Sequence, residues 1–172
     1  MEGSEKPARA PPTVDVLKSI TTIGPISTKS DAILHMLLQL PEELLDEWMT
    51  YDDSEIAKLP PGRKGLRMYA VTGLKKGKVG GHEFHRNKKE FFFVLRGKLR
   101  MDCEDVHGNK RSFELTPNHG LALVPFVLHT YTVLEEGDFL VVANTLFDRE
   151  DKRTYDTYSS DVFRELQKHF PD

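Results

Sequence analysis

Hydrophobic positions change their period twice along this 172-residue chain. Ile33, Leu34, Leu37, Leu38, Leu44, Leu45 and Trp48 recur at helical spacing, and Ser30 or Asp31 is placed to cap the start. Pro41 interrupts the run. The pattern therefore predicts two short helices, with Pro41 in the first turn of the second and Glu42 and Glu43 favourable at its positive end. From about 65 to 146 the apolar runs shorten and alternate with turn residues, as in an all-β barrel or sandwich. The expected strands are 66–72, 82–85, 90–96, 98–103, 110–114, 120–124, 130–134 and 139–144. Their connections carry Gly73 and Gly77, Gly97, Gly108-Asn109, residues 117–120, and Glu136-Gly137. Helical spacing returns over 148–170, where Val162, Phe163, Leu166 and Phe170 make one face. The expected organisation is a flexible tail over 1–13, a helical extension over 14–62, a β-barrel over 63–147 and a helical segment over 148–172.

Composition narrows the class without naming an activity. Apolar residues make up 38% and charged residues 30%, enough for one real core at this length. The net charge of −3 gives no electrostatic case for binding nucleic acid. No apolar run approaches a membrane span, and the first residues lack the apolar region of a signal peptide. A single cysteine, Cys103, excludes an internal disulfide and reads as a structural thiol. The expectation is a soluble, cytoplasmic protein.

The chemistry concentrates between Gly77 and Gly97. Strand side chains alternate faces, so Glu83 and His85 share one face while His82 and Phe84 share the other, unless a bulge re-aims them. Glu90 opens the next run and can approach His85 across an antiparallel pair. His129 ends a further apolar strand. Two carboxylates and two imidazoles facing one interior are costly to bury idle; they suit metal ligation or proton transfer. Phe91, Phe92 and Phe93 are consecutive, so both faces of their strand require cover. Lys75, Lys76 and Lys78 form a basic turn that is either solvated or able to meet a diphosphate.

These residues also carry a resemblance. Gly77, His85, Glu90 and Gly97 fall on the first cupin motif, with Glu83 at the place of its first histidine. Pro125 and His129 resemble the proline and histidine of the second motif, whose glycine is Val127 here. The resemblance implies a mainly β cupin fold, a double-stranded β-helix or jelly-roll barrel with short helical extensions at both ends. Within the cupins, the chain over roughly 66–168 resembles the WxcM-like sugar-nucleotide 3,4-ketoisomerases that act on dTDP-4-keto-6-deoxyglucose. Arg67-Met-Tyr69 resembles their Arg-Val-Tyr strand, and the segment ending in His85 their Arg-Gly-x-His-x-His motif. Residues 123–129 are similar to Ile-Pro-Pro-x-x-Trp-His, and residues 144–158 to the family's closing Tyr-Asp-x-x-Asp-x-Ile-Arg-x-Tyr segment. Gly80 stands where that family has an arginine, and Glu83 where it has the first of two active-site histidines.

The leading expectation is an isomerase, a nucleotide-sugar 3,4-ketoisomerase or epimerase acting on a 4-keto-6-deoxy sugar by acid–base proton transfer. His85 would be the base, Glu83 a second acid–base group or an orienter of His85, and Tyr69 a hydroxyl donor to the sugar. An alternative is a metal-dependent cupin, isomerase or oxygenase, in which Glu83, His85, Glu90 and His129 hold Mn²⁺, Fe²⁺, Ni²⁺ or Zn²⁺. Two carboxylates with two imidazoles suit Mn²⁺ or Fe²⁺ best. A non-catalytic sugar-binding cupin is the third reading. The expected partners are a nucleotide-sugar and a second copy of the chain, since Phe91–Phe93 and the 33–48 stripe offer apolar surface beyond one core.

Overall fold

Two long bent strands organise the molecule in this computed structural model, which describes residues 10–170. The chain runs β1 (Lys18–Thr21), β2 (Ile23–Ser27), β3 (Ile33–Met36), α1 (Glu42–Trp48), α2 (Asp53–Ile56), β4 (Lys64–Leu74), β5 (Val79–Phe84), β6 (Glu90–Glu104), β7 (Lys110–Leu115), β8 (His119–Leu123), β9 (Leu128–Thr145), β10 (Tyr158–Ser159) and α3 (Ser160–Gln167). β6 and β9 pair antiparallel from Glu90 opposite Ala143 to Glu104 opposite Leu128. The first part of β6 also pairs with β8, which pairs with β1, while the last part of β9 pairs with β4. Beyond the bend, β6 pairs with β7 and β9 with β5, whose far edge takes β10. One pair of strands thus serves two layers, and the barrel closes between them.

The bend explains a difference from the strand pattern. Gly97 and Glu136-Gly137 were expected to separate strands; they lie instead where β6 and β9 turn together from one layer to the other. Gly97 has φ +81°. A Cβ there would lie 2.4 Å from the Glu136 carbonyl oxygen, and one on Gly137 would lie 1.8 Å from that of Arg96. Only bare backbone lets the two strands kink against each other.

The N-terminal extension departs further from its helical expectation. Ile33–Met36 is a strand, paired with Ile23–Ser27 in a separate two-stranded sheet. The reason is local turn chemistry. The Thr28 hydroxyl accepts from Ala32 N and donates to its carbonyl, and Asp31 takes φ +57°, so Ser30 and Asp31 close a hairpin and do not cap a helix. The second expected helix is present as α1, with Pro41 at its N-terminal boundary. The segment 14–62 is therefore mixed, and the C-terminal segment adds β10 to its helix. Of the tail expected over 1–13, residues 1–9 lie outside the described residues. The core begins at Val14, buried and donating its N–H to Asp105 at 3.0 Å.

Phe92 packs inside the barrel with Phe139, Met101 and Leu121, while Phe91 and Phe93 lie on the outer face under Trp48. Trp48 stacks on Phe91 with ring centroids 4.9 Å apart. Helix α1 therefore supplies the second cover that three consecutive aromatics require. At the other end, Phe163 of α3 packs edge-on against Phe84 of β5. Trp48→Ala should lower stability by about 3–5 kcal/mol, the usual cost of deleting a buried aromatic. A urea midpoint unchanged from that of the wild type would show that α1 is not part of the core.

Candidate active site

A bulge sets the site. β5 and β9 keep register from Val79 to Gly81, then slip so that Glu83 and not His82 lies opposite His129. Gly81 and His82 both have positive φ, +73° and +68°. The extra residue, His82, is turned out to solvent, where its Nδ1 meets the Thr130 hydroxyl at 2.9 Å. Glu83 then faces a cavity of about 190 Å³ inside the barrel, lined also by Tyr69, Glu90, His129 and Tyr131 over a floor that includes Phe92 and Met101. A larger depression of about 330 Å³ along residues 56–64 contains none of these groups.

One ligating atom each from Glu83, His85 and His129 lies within 4.8 Å of the others. Glu90 stands beside this trio and not in it. Oε1 accepts from the Tyr69 hydroxyl at 3.0 Å and from Lys88 Nζ at 2.9 Å, and Oε2 lies 3.5 Å from His85 Nε2. The four expected metal ligands are thus three convergent groups and one ion-paired neighbour. Tyr69 reaches the same cavity, but its proton is committed to Glu90.

The two imidazoles are held in the same tautomer. Their Nδ1 atoms face carbonyl oxygens, which can only accept: Asp156 O at 2.7 Å for His85 and Val127 O at 3.1 Å for His129. Nδ1 therefore carries a proton in both rings, so Nε2 is the nitrogen that can take up or release one. The rings lie 5.0 Å apart. His85 Nε2 is buried without a hydrogen-bond partner, 3.5 Å from Glu90 Oε2.

Charge is sorted within this pocket. Burial would raise the Glu90 pKa, but the Lys88 ammonium and then His85 outweigh it and hold the carboxyl well below its ordinary value. Burial, with His85 adding to it, pushes His129 down to about 4, so His129 is a neutral base near pH 7. Burial and the adjacent Glu90 carboxylate push the Tyr69 phenol up, so it stays protonated. Because folded His129 resists a proton that the unfolded chain accepts near 6.5, stability should fall as pH drops from 6.5 towards 4. His129→Asn should flatten that part of the curve, read by urea unfolding across this range with a chelator present. A variant curve as steep as the wild type's would reject the assignment.

Two residues of the site escape sequence reasoning. Lys88 reads as a surface neighbour of Glu90, yet it is buried. Asp156 carries no motif of its own, although it lies within the segment similar to the family's closing stretch. Its carboxylate accepts from the backbone N–H groups of Arg86, Asn87 and Lys88 at 3.2, 2.8 and 2.7 Å. The loop between β5 and β6 is thereby closed around one buried side chain, and the same residue's carbonyl orients His85. The basic turn is placed elsewhere: Lys75, Lys76 and Lys78 do not line the cavity, and Lys75 lies 3.6 Å from Glu136. Cys103 is buried in the barrel core, its thiol pushed up to about 12 chiefly by burial, which fits its structural reading.

A family model described as FdtA, WxcM-like, C-terminal, matches residues 61–162. The chain belongs to that family. Solved structures share its fold. The 3,4-ketoisomerase QdtA from Thermoanaerobacterium thermosaccharolyticum, solved as a variant with TDP-4-keto-6-deoxyglucose, is 20% identical with a TM-score of 0.59, covering 90% of this chain and 96% of that one. A 3,4-ketoisomerase from Helicobacter canadensis is 15% identical with a TM-score of 0.61, covering 89% and 98%. The TDP-quinovose 3,4-ketoisomerase WlaRB from Campylobacter jejuni is 15% identical with a TM-score of 0.62, covering 90% and 99%. No curated protein matches the chain. The WxcM-like match begins just before β4 and ends inside α3, so it spans every residue of the site. Among the described residues, no helix is long and apolar enough to cross a membrane.

Proposed function

We propose that this WxcM-like chain is a nucleotide-sugar 3,4-ketoisomerase that moves the carbonyl of a 4-keto-6-deoxy sugar by proton transfer. The observation that carries the reading is the convergence of Glu83, His85 and His129, with Glu83 and His129 lining a cavity that suits one sugar ring and His85 buried beside them. A 4-keto sugar has an acidic proton at C3. His85 Nε2 takes it, and the resulting imidazolium lies between the Asp156 carbonyl and the Glu90 carboxylate, both complementary to its charge. The C4 oxygen is protonated as the enediol forms; a proton returns to C4 as the C3 hydroxyl gives up its own. Glu83 is positioned to carry these oxygen protons or to orient His85, and neutral His129 completes the basic wall. TDP-4-keto-6-deoxyglucose, which the QdtA variant holds, is the substrate to test.

A metal-dependent reading is favoured by one specific observation. Both histidines bond to a carbonyl through Nδ1, which leaves Nε2 as the nitrogen able to ligate, the arrangement that supports imidazole ligands, and Glu83 adds an oxygen donor. These three residues would hold Mn²⁺ or Fe²⁺, which would polarise a substrate oxygen; Glu90 and Lys88 would flank them. Incubation with TDP-4-keto-6-deoxyglucose in D₂O, with and without EDTA, separates the readings by NMR. Exchange at C3 that persists in EDTA supports the acid–base enzyme. Exchange lost in EDTA and restored by Mn²⁺ or Fe²⁺ supports the metal enzyme. Binding without exchange leaves a sugar-binding cupin.

A homodimer belongs to the same proposal. Phe91 and Phe93 are covered by Trp48, but Ile23, Ile26, Ile33 and Leu34 of the β2–β3 hairpin are exposed, an apolar surface that a second copy would cover. Light scattering giving a monomer mass would reject it.

A further inference from the structure

Tyr69 and Tyr131 both line the cavity, from β4 and β9, but only one has a hydroxyl to spare. Tyr69 donates to Glu90 at 3.0 Å. The Tyr131 hydroxyl has no hydrogen-bond partner among the described residues, and its oxygen is not among the buried unpartnered atoms, so it is open to the cavity. Its ring is held firmly, tilted 71° to Phe139 at 5.3 Å and packed near Phe92 at 6.4 Å. Gly80 is its cross-strand partner, and a Cβ there would lie 2.2 Å from both Cζ and the hydroxyl oxygen of Tyr131. The far end of the ring therefore occupies the volume in which any side chain at position 80 would begin. Gly80 needs no positive φ here; its bareness serves the tyrosine.

We propose that Tyr131, laid across Gly80, is a catalytic residue that donates its hydroxyl hydrogen bond to the substrate oxygen developing negative charge as the C3 proton leaves. This rests on the ketoisomerase reading and deepens it, moving to Tyr131 the donor role that sequence alone gives Tyr69. The step needs no net proton loss from the phenol: the C3–H bond breaks towards His85, the electron pair moves to the C4 oxygen, and the Tyr131 O–H stabilises that oxygen until it is protonated. A donor that strengthens its bond only in the transition state acts on turnover more than on binding.

The test uses the full chain and TDP-4-keto-6-deoxyglucose. Tyr131→Phe keeps the ring and removes the hydroxyl; kcat should fall roughly 10²-fold with KM within about threefold, and the urea midpoint should not move. Tyr131→Phe within twofold of the wild type in kcat overturns the donor role, as does a loss confined to KM. A wild type that neither exchanges the C3 proton nor binds the nucleotide-sugar fails the ketoisomerase reading first and this inference with it. The seating on Gly80 is read without activity. Gly80→Ala should destabilise the wild type, and the cost should disappear in a Tyr131→Ala background, since the clash is then gone. Equal costs in both backgrounds would show that Gly80 is not there for Tyr131.

Discussion

His85→Ala is expected to lower C3 proton exchange by about 10²–10⁴-fold, the range typical of removing a positioned general base. The barrel should survive. Glu90, which loses its imidazole neighbour, keeps the Lys88 ammonium at 2.9 Å and the Tyr69 hydroxyl at 3.0 Å, so no carboxylate is left buried and unpaired. Phe84 beside it packs outward against Phe163, independently of the missing ring. If the site instead works through a metal, the same variant removes one of three convergent ligands, and elemental analysis should show the loss. Exchange by NMR, metal content and thermal unfolding, measured on one preparation, keep the outcomes apart. Full activity with unchanged metal content would reject both mechanisms and leave the binding-only reading.

Much of this arrangement was legible in the sequence because it depends on period and spacing. Residues 66–146 read as β, and the alternation around His85 sends Phe84 one way and His85 the other. The FFF run announces two covered faces, although not that Trp48 provides one of them. What was not legible has a common cause: long-range closure. Gly97 and Gly137 read as turns, since a local pattern cannot tell a hairpin from two strands bending together, and their partners lie about forty residues away in β9 and β6. The 33–36 run has helical spacing, yet the Thr28–Ala32 hydrogen bonds close a hairpin that brings Ile33–Met36 beside Ile23–Ser27. Lys88 looks solvated beside Lys89 because nothing nearby shows that its amide and its ammonium are both drawn inward, one by Asp156 and the other by Glu90. The bond from the Tyr69 hydroxyl to Glu90 is hidden for the same reason: its partner is 21 residues on.

Asp156 is where a stability effect as large as that of Trp48 is expected. Its side chain is buried and answers three consecutive backbone N–H groups, at Arg86, Asn87 and Lys88, none of which has a strand partner to fall back on. An unsatisfied buried donor costs about 1–3 kcal/mol, and more where the lost acceptor is charged. Partial rescue by water at the loop surface keeps the sum below three full penalties, so Asp156→Gly should lose about 3–5 kcal/mol. Glycine is the informative replacement because Asp156 has φ +46°: it tolerates that backbone freely, whereas alanine would add the strain of a left-handed conformation to the loss of the carboxylate. Asp156→Asn keeps one acceptor oxygen and should lose less than half as much. The loss should also reach the chemistry, since the 86–88 loop carries Lys88 to Glu90 and the residue's own carbonyl fixes the His85 tautomer. Urea unfolding and C3 exchange on the glycine and asparagine variants test this together. An Asp156→Gly midpoint equal to the wild type's would show that the carboxylate does not hold the loop.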